Sequence, residues 1–497
     1  MSATESNIAA SSLGLLGKLA HSFGATEAAL RLLISIFAGY GIAFFYRRTI
    51  MHQPDKLIHH FYFATCGLVL CLFNFGYATC HSLIAVTITY VLARLLRSSP
   101  RELITINFIF HMGYLLVGYY HTESNEYDIL WTMPHCVLVL RLIGFGFDIT
   151  DGLKEREQLS KEQQENAISE LPTPLELVAF AYFPCAFLIG PQFAYRRYQR
   201  FVDGEFRQYK GGVEAGLKRL CTGLVYLVIR QIGAPYFPDE YFVSDEYPKA
   251  PFFWRLVYMG VWAKLALYKY VACWLMTEGA LMCLGISYAG KKENGDNDWS
   301  GCTNVNVFIL ETGYTMQHYV QSFNVNTNQW VSQYVYKRLR FLNNRSISYA
   351  AALGFLAVWH GFHSGYYMAF FNEYITVTVE KQFASVWSKS NIDIYANIIS
   401  PPFVYPVLKY FMQKLYDLFY IGWCMTPFML YSYPRWMKTY SAINYFVFVV
   451  CIVWTIFYQT YKYYERAAKR REQDSTFGRA TTLSPTVAAK DDDEKRD

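Results

Sequence analysis

The sequence predicts an all-α fold: a polytopic transmembrane helical bundle of about ten to twelve crossings, some of them re-entrant. Three observations predict it. Only 17% of the 497 residues are charged and 53% are hydrophobic, whereas ordinary soluble domains carry ~25% charged residues. The 42 tyrosines and 11 tryptophans suit two membrane interfaces, where amphipathic rings collect. Apolar runs of about 20 residues, the length that crosses a bilayer, recur along the chain.

In order, the apolar runs fall near 28–46, 58–77, 81–98, 104–121, 129–147, 174–192, 218–233, 254–290, 302–321, 347–371, 401–433 and 441–460. The run at 254–290 is long enough for a hairpin or two short helices. That at 401–433 contains Pro401, Pro402, Pro406 and Pro427, which favour kinks or re-entrant pieces. The segment 148–171 reads as a solvated, helical loop, and 291–302 as a turn-rich connection. This divides the chain into an N-terminal segment (1–27), a membrane-embedded domain (28–460) and a polar, disordered cytosolic tail (461–497). No internal repeat of the kind common in transporters is visible.

The net charge of +6 is not a nucleic-acid signal. Its basic residues cluster beside apolar runs, at 46–49, 195–200 and 465–471, as cytoplasmic membrane flanks do. The 11 cysteines are scattered without a CxxC pair, which argues against a disulfide framework or a zinc site and for buried thiols.

One amphipathic helix is expected over 323–342. Trp330, Val331, Tyr334, Val335, Leu339 and Leu342 share one face, with Gln329, Ser332, Gln333, Lys337 and Arg340 opposite. Such a helix lies in the membrane interface or at a cavity mouth.

Ionisable side chains inside a membrane are expensive and usually functional. The candidates are His360, His363, His135, Arg141, Glu278, Glu311 and His318. His360 and His363 stand in a stretch without charged residues from 346 to 372 and, three apart, are expected on one helix face. No HExxH motif is present, so no metal is expected; Walker A and GxGxxG loops are also missing. A hydrogen-bonded core histidine is the plain alternative for His360, an Asx-type helix cap that for Asn324, and pairing with Lys269 or Lys264 that for Glu278.

"SFNVNTNQWVSQYVYKRLRFL" (322–342) followed by "AVWHGFHSGYY" (357–367) resembles the membrane-bound O-acyltransferase (MBOAT) family. Within it, the likeness is to lysophospholipid acyltransferases of the lysophosphatidylcholine acyltransferase 3 type. "LIGPQFAYRRY" (188–198) and "KYVACWLMTEG" (269–279) are similar to further family segments. The resemblance implies an internal catalytic chamber with His360 and Asn324 as its catalytic residues. Asn326 and Asn328 lie in the same stretch, so a register slip of two positions is the alternative.

The implied reaction moves an unsaturated acyl group from acyl-CoA to the free sn-2 hydroxyl of a lysophospholipid. Lysophosphatidylcholine is the leading acceptor, with lysophosphatidylethanolamine and lysophosphatidylserine beside it. A hydroxyl needs a general base as it attacks, a role neutral imidazole can fill. The CoA thiolate leaves readily, so no cofactor is expected beyond acyl-CoA as co-substrate. Asn324 would hydrogen-bond the substrate or thioester, or steady developing charge.

Trp330, Trp359 and His363 are candidate substrate contacts. Lys337, Arg338 and Arg340 are candidates for the CoA phosphates or for anionic headgroups. The implied partners are acyl-CoA, lysophospholipid and membrane lipids, and the implied location is the endoplasmic reticulum membrane. Two rivals remain: a family member with a sterol, diacylglycerol or protein acceptor, and a transporter using the histidines as a proton relay.

Overall fold

The computed structural model describes residues 14–22, 24–122, 129–390, 392–401 and 403–482. The chain begins with α1 (Leu15–Ser22) and α2 (Glu27–Phe45), then α3 (Lys56–Phe75), α4 (Thr79–Leu95), α5 (Pro100–Thr122) and α6 (Thr132–Asp151). Thr26 and Asp55 cap α2 and α3 by accepting the amides of Ala29 and Leu57, replacing bonds that a helix start lacks.

A polar corner carries α7 (Lys161–Asn166) and α8 (Pro174–Ala181), each opened by a reciprocal capping box, Ser160 with Gln163 and Thr173 with Glu176. Next come α9 (Tyr195–Val202), α10 (Gly212–Gly233), α11 (Glu240–Val243) and α12 (Phe252–Leu284). The expected hairpin at 254–290 is thus one unbroken helix of 33 residues. It contains no proline, and its interior Gly260 and Gly279 stay helical; Gly285, with φ of 101°, ends it.

The turn-rich stretch forms a two-stranded antiparallel hairpin, Gly290 opposite Asp298 and Lys291 opposite Asn297. The apolar run at 302–321 does not cross as one helix. It folds as two short pieces, α13 (Val307–Thr312) and α14 (Met316–Ser322), with Gly313 between them.

The expected amphipathic helix is also broken. It comprises α15 (Val325–Val331), a π turn (Ser332–Tyr336) and a 3₁₀ turn (Lys337–Leu342). The apolar face still buries Trp330, Val331 and Tyr334, but Leu342 is exposed. The last helices are α16 (Arg345–His360), α17 (Ser364–Trp387), α18 (Ile392–Ile399), α19 (Val404–Leu430), α20 (Tyr433–Ala442) and α21 (Phe446–Thr482). α21 continues through 461–482, so the part of the expected disordered tail that the structure describes is helical; 483–497 lie outside the described residues.

Among the described residues, six stretches are long and apolar enough to cross a membrane. Ten to twelve crossings were expected; the stretch Lys56–Leu95 holds two helices, α3 and α4, whereas the apolar runs at 174–192 and 302–321 form short or broken helices. α6 is the central span, buried along most of its length, whereas α21 buries nothing in its apolar stretch. Outward-facing Val449, Ile452, Val453 and Ile456 on α21 are what a lipid-facing helix presents.

The packing that matters for the site is α10 against α12 and α12 against α19. At Gly216 a Cβ would stand 2.4 Å from the Gly279 carbonyl. The two backbones therefore touch through paired small residues, the device membrane helices use where apolar burial gives little attraction.

Candidate active site: a chamber lined by His360 and Asn324

A largely apolar chamber of about 860 Å³ lies among α2, α6, α12, α15, α16, α17 and α19. It is at the upper end of the ~300–1,000 Å³ range of ligand pockets. His360 and Asn324 both line it, although they sit on different elements 36 positions apart in sequence.

His360 is the last residue of α16, because Gly361 adopts φ 120° and ψ −161°. This corrects the expectation of a continuous apolar helix. His363 is not on the same helix face; it is the N-cap residue of α17, also lining the chamber. The Nδ1 of His360 lies 2.7 Å from the Leu356 carbonyl oxygen. A carbonyl can only accept, so Nδ1 carries the proton and Nε2 keeps its lone pair. The rings of Trp359, Tyr366, Phe370 and Phe428 surround the imidazole, with centroids 4.5–5.5 Å away.

Asn324 has φ 51° and ψ 44°, left-handed backbone, and its side chain makes no cap hydrogen bond. The Asx-cap alternative is therefore not realised. Its neighbours are committed elsewhere. The Asn326 amide donates to the Thr303 carbonyl at 2.9 Å, and the Asn328 amide donates to the Val320 and Phe323 carbonyls, both at 3.0 Å. Of the three asparagines, Asn324 is the one whose amide remains for a ligand.

The other expected contacts divide. Trp359 lines the chamber, but its indole N–H donates to the Cys136 carbonyl at 2.9 Å, anchoring α16 to α6. Trp330 does not line it. It is buried behind the wall, stacked on Phe355 at 5.6 Å and against Gly144, where a Cβ would come within 2.9 Å of its ring nitrogen.

Lys337 pairs with Glu162 at 2.7 Å. Arg338 grips the buried Asp151 carboxylate with two nitrogens and lies over the Phe147 ring. Neither lines the chamber; these cations tie the 332–342 segment to the polar corner. Asp148 and Asp151 are themselves buried, so the start of that corner is not solvated. Arg340 is exposed.

Most remaining ionisable candidates have structural partners. Arg141 donates to the carbonyls of Phe180 and Ala181 at 2.9 and 3.1 Å, holding the C-terminal end of α8. Glu278 pairs with Arg219 at 2.6 Å, not with Lys269 or Lys264; Lys264 pairs with Asp417. Glu311 accepts from Tyr226 and Tyr268, and His318 closes a capping box with Thr315. His135 is buried between Trp131 and Tyr114, outside the chamber.

The sequence reading passed over Glu373, which lines the chamber and accepts from the Tyr349 hydroxyl at 3.3 Å. Its signal was present: it is the first charge after the uncharged stretch. Among the described residues no group of three or more histidine, cysteine or acidic side chains is placed to hold a metal.

Fold and site together define a multi-pass helical membrane protein with a large, mostly apolar chamber among its helices. The sequence model of MBOAT, the membrane-bound O-acyltransferase family, matches residues 116–422. The chain is 53% identical over 458 residues to lysophospholipid acyltransferase 5 of Drosophila melanogaster, covering 92% of each. It is 43% identical over 434 residues to the Homo sapiens protein of that name, covering 86% of this chain and 88% of the relative. With the Caenorhabditis elegans protein it shares 33% over 455 residues, 89% of this chain and 94% of the relative. The chain belongs to the membrane-bound O-acyltransferase family.

Proposed function

We propose that the protein is a lysophospholipid acyltransferase, moving an unsaturated acyl group from acyl-CoA to the free sn-2 hydroxyl of a lysophospholipid. Lysophosphatidylcholine is the principal acceptor, and lysophosphatidylethanolamine and lysophosphatidylserine are further ones, in phospholipid remodelling at the endoplasmic reticulum membrane. The relatives' shared name supports the reaction class. The observation that carries the mechanism is the His360–Leu356 hydrogen bond, which leaves the lone pair on Nε2.

In this reading the acceptor hydroxyl attacks the thioester carbonyl while Nε2 takes its proton. The tetrahedral intermediate expels CoA thiolate, which recovers that proton from the imidazolium. Asn324 donates its amide to the developing oxyanion or the acceptor. The apolar lining takes the acyl chains and keeps competing water out.

The test is CoA release by the purified protein. Release should require acyl-CoA and lysophospholipid together and should vanish in His360→Ala. A transporter would release none. A panel of acceptors decides between lysophospholipids and a sterol, diacylglycerol or protein acceptor.

A further inference from the structure

The segment 269–279, on α12, carries Trp274 and Glu278, four apart and so on one helix face. Neither is used in the chemistry above, yet Trp274 meets Phe323 beside Asn324, and Glu278 meets the segment that holds the neighbours of Asn324. Trp274 stands edge-on to Phe323 at 4.9 Å. Glu278, with no exposure, accepts the amides of Asn304 and Val305 on one carboxylate oxygen, at 2.7 and 2.9 Å. Its other oxygen accepts from Arg219 at 2.6 Å, and Arg219 also donates to the Val305 carbonyl. The contact of α10 and α12 at Gly216 and Gly279 lets Arg219 reach across.

Residues 303–306 in turn hold both sides of Asn324. The Asn306 amide donates to the Ser322 carbonyl at 2.9 Å, Val305 bridges Phe323, and the Val325 amide donates to the Asn304 carbonyl at 2.9 Å. The Asn304 side-chain oxygen accepts the Asn326 amide at 3.0 Å. Residues 322, 323, 325 and 326 are thus all fastened to one short segment, and Asn324 between them lines the chamber beside Phe323. Left-handed backbone at a residue other than glycine persists only where its surroundings over-determine it. Here those surroundings are fixed in turn by one buried carboxylate.

We propose that Glu278 is the positioning residue for Asn324: its ion pair with Arg219 sets the 303–306 segment, and that segment sets the Asn324 amide against the reacting carbonyl. The inference rests on the acyl-transfer reading and on Asn324's part in it. Glu278 touches no substrate, so its loss should slow turnover without weakening binding. Misplacement of a reacting group by about 1 Å costs on the order of 10²-fold.

The experiment is a double-mutant cycle in the purified full chain, with an unsaturated acyl-CoA and lysophosphatidylcholine. Glu278→Gln should lower kcat on the order of 10²-fold and leave both KM values within about twofold of the parent. In an Asn324→Ala background the same change should lower kcat no further, because the group it positions is gone. Multiplicative losses, an unchanged kcat in Glu278→Gln, or a rise confined to KM would overturn the proposal. If Glu278→Gln does not fold, Asn304→Ala enters the same cycle; it removes the side-chain oxygen that accepts the Asn326 backbone amide and leaves the buried charge untouched. Full activity in Asn324→Ala alone would overturn the reading of Asn324 itself, a result distinct from independent losses at Glu278.

Discussion

His360 donates its Nδ1–H to the carbonyl of Leu356, four residues back in the same helix, at 2.7 Å. The bond joins a side chain to its own helix, so it fixes tautomer and ring orientation without a carboxylate. Asp–His pairing is the common way to orient a catalytic imidazole; in His360 a backbone carbonyl holds the ring, and aromatic side chains pack around it.

His360→Ala and His360→Gln should both reduce turnover by at least 10²–10⁴-fold, the usual worth of a positioned base. Glutamine keeps a hydrogen-bonding side chain of similar reach but cannot take the proton. Both variants should extract and elute as the parent does. A glutamine variant with near-parental kcat would remove the general-base role.

The asparagines should separate by phenotype. Asn324→Ala loses a donor without a structural partner, so kcat should fall about 10²–10³-fold with little change in thermal midpoint. Asn324→Gly, which adopts φ 51° without strain, should be as slow, placing the loss on the amide. Asn328→Ala leaves two carbonyls without donors and should lower stability by about 1–3 kcal/mol. Thermal unfolding in detergent beside initial rates distinguishes them; greatest kinetic sensitivity at Asn326 or Asn328 would shift the register by two or four positions.

Gly216 should tolerate nothing larger without movement of α12. In Gly216→Val the new side chain meets the Gly279 carbonyl and the Cys283 sulfur, 2.4 and 2.5 Å from an added Cβ. Overpacking of this kind costs about 1–3 kcal/mol, read as a lower melting temperature. Because α12 carries Glu278, kcat should fall as well.

The residues that line the chamber were more legible than the path of the chain. Apolar periodicity marks burial whether a helix crosses the membrane or stops half way. It therefore did not reveal that 302–321 breaks at Gly313 or that 254–290 is one helix. His360 was legible because imidazole in an uncharged stretch has no structural excuse, yet its place at a helix end was hidden in Gly361, one glycine among 31. Trp330 was marked by its motif but serves the wall, and no local pattern separates a wall tryptophan from a ligand contact. Glu278 needed the tertiary fold, since its partners lie near 219 and 304.

The basic segment gives the last prediction. Arg338 is about one-fifth exposed and Asp151 1%. Arg338→Ala would leave the buried Asp151 carboxylate with only Lys154 and Gln163, both at 3.1 Å, and should appear as lost stability. Lys337→Ala should cost under ~1 kcal/mol, since its partner Glu162 is half exposed. Glu162 lies outside the spans, and the hydrogen bond from Lys337 pulls its pKa from 4.5 to about 2. The small stabilisation from that pair is therefore complete above the ordinary carboxylate value and is lost as pH falls towards 2. Neither cation is left for an incoming phosphate. Arg340 is exposed and forms no ion pair among the described residues, so it alone of the three should act on the donor. If it meets CoA phosphates, Arg340→Gln should raise the acyl-CoA KM, more so at low salt. kcat and the lysophospholipid KM should stay unchanged, as expected when uniform binding is lost. Measuring both KM values in neutral and anionic liposomes checks this; an acyl-CoA KM indifferent to Arg340, with activity dependent on anionic lipid, would assign Arg340 to the membrane surface.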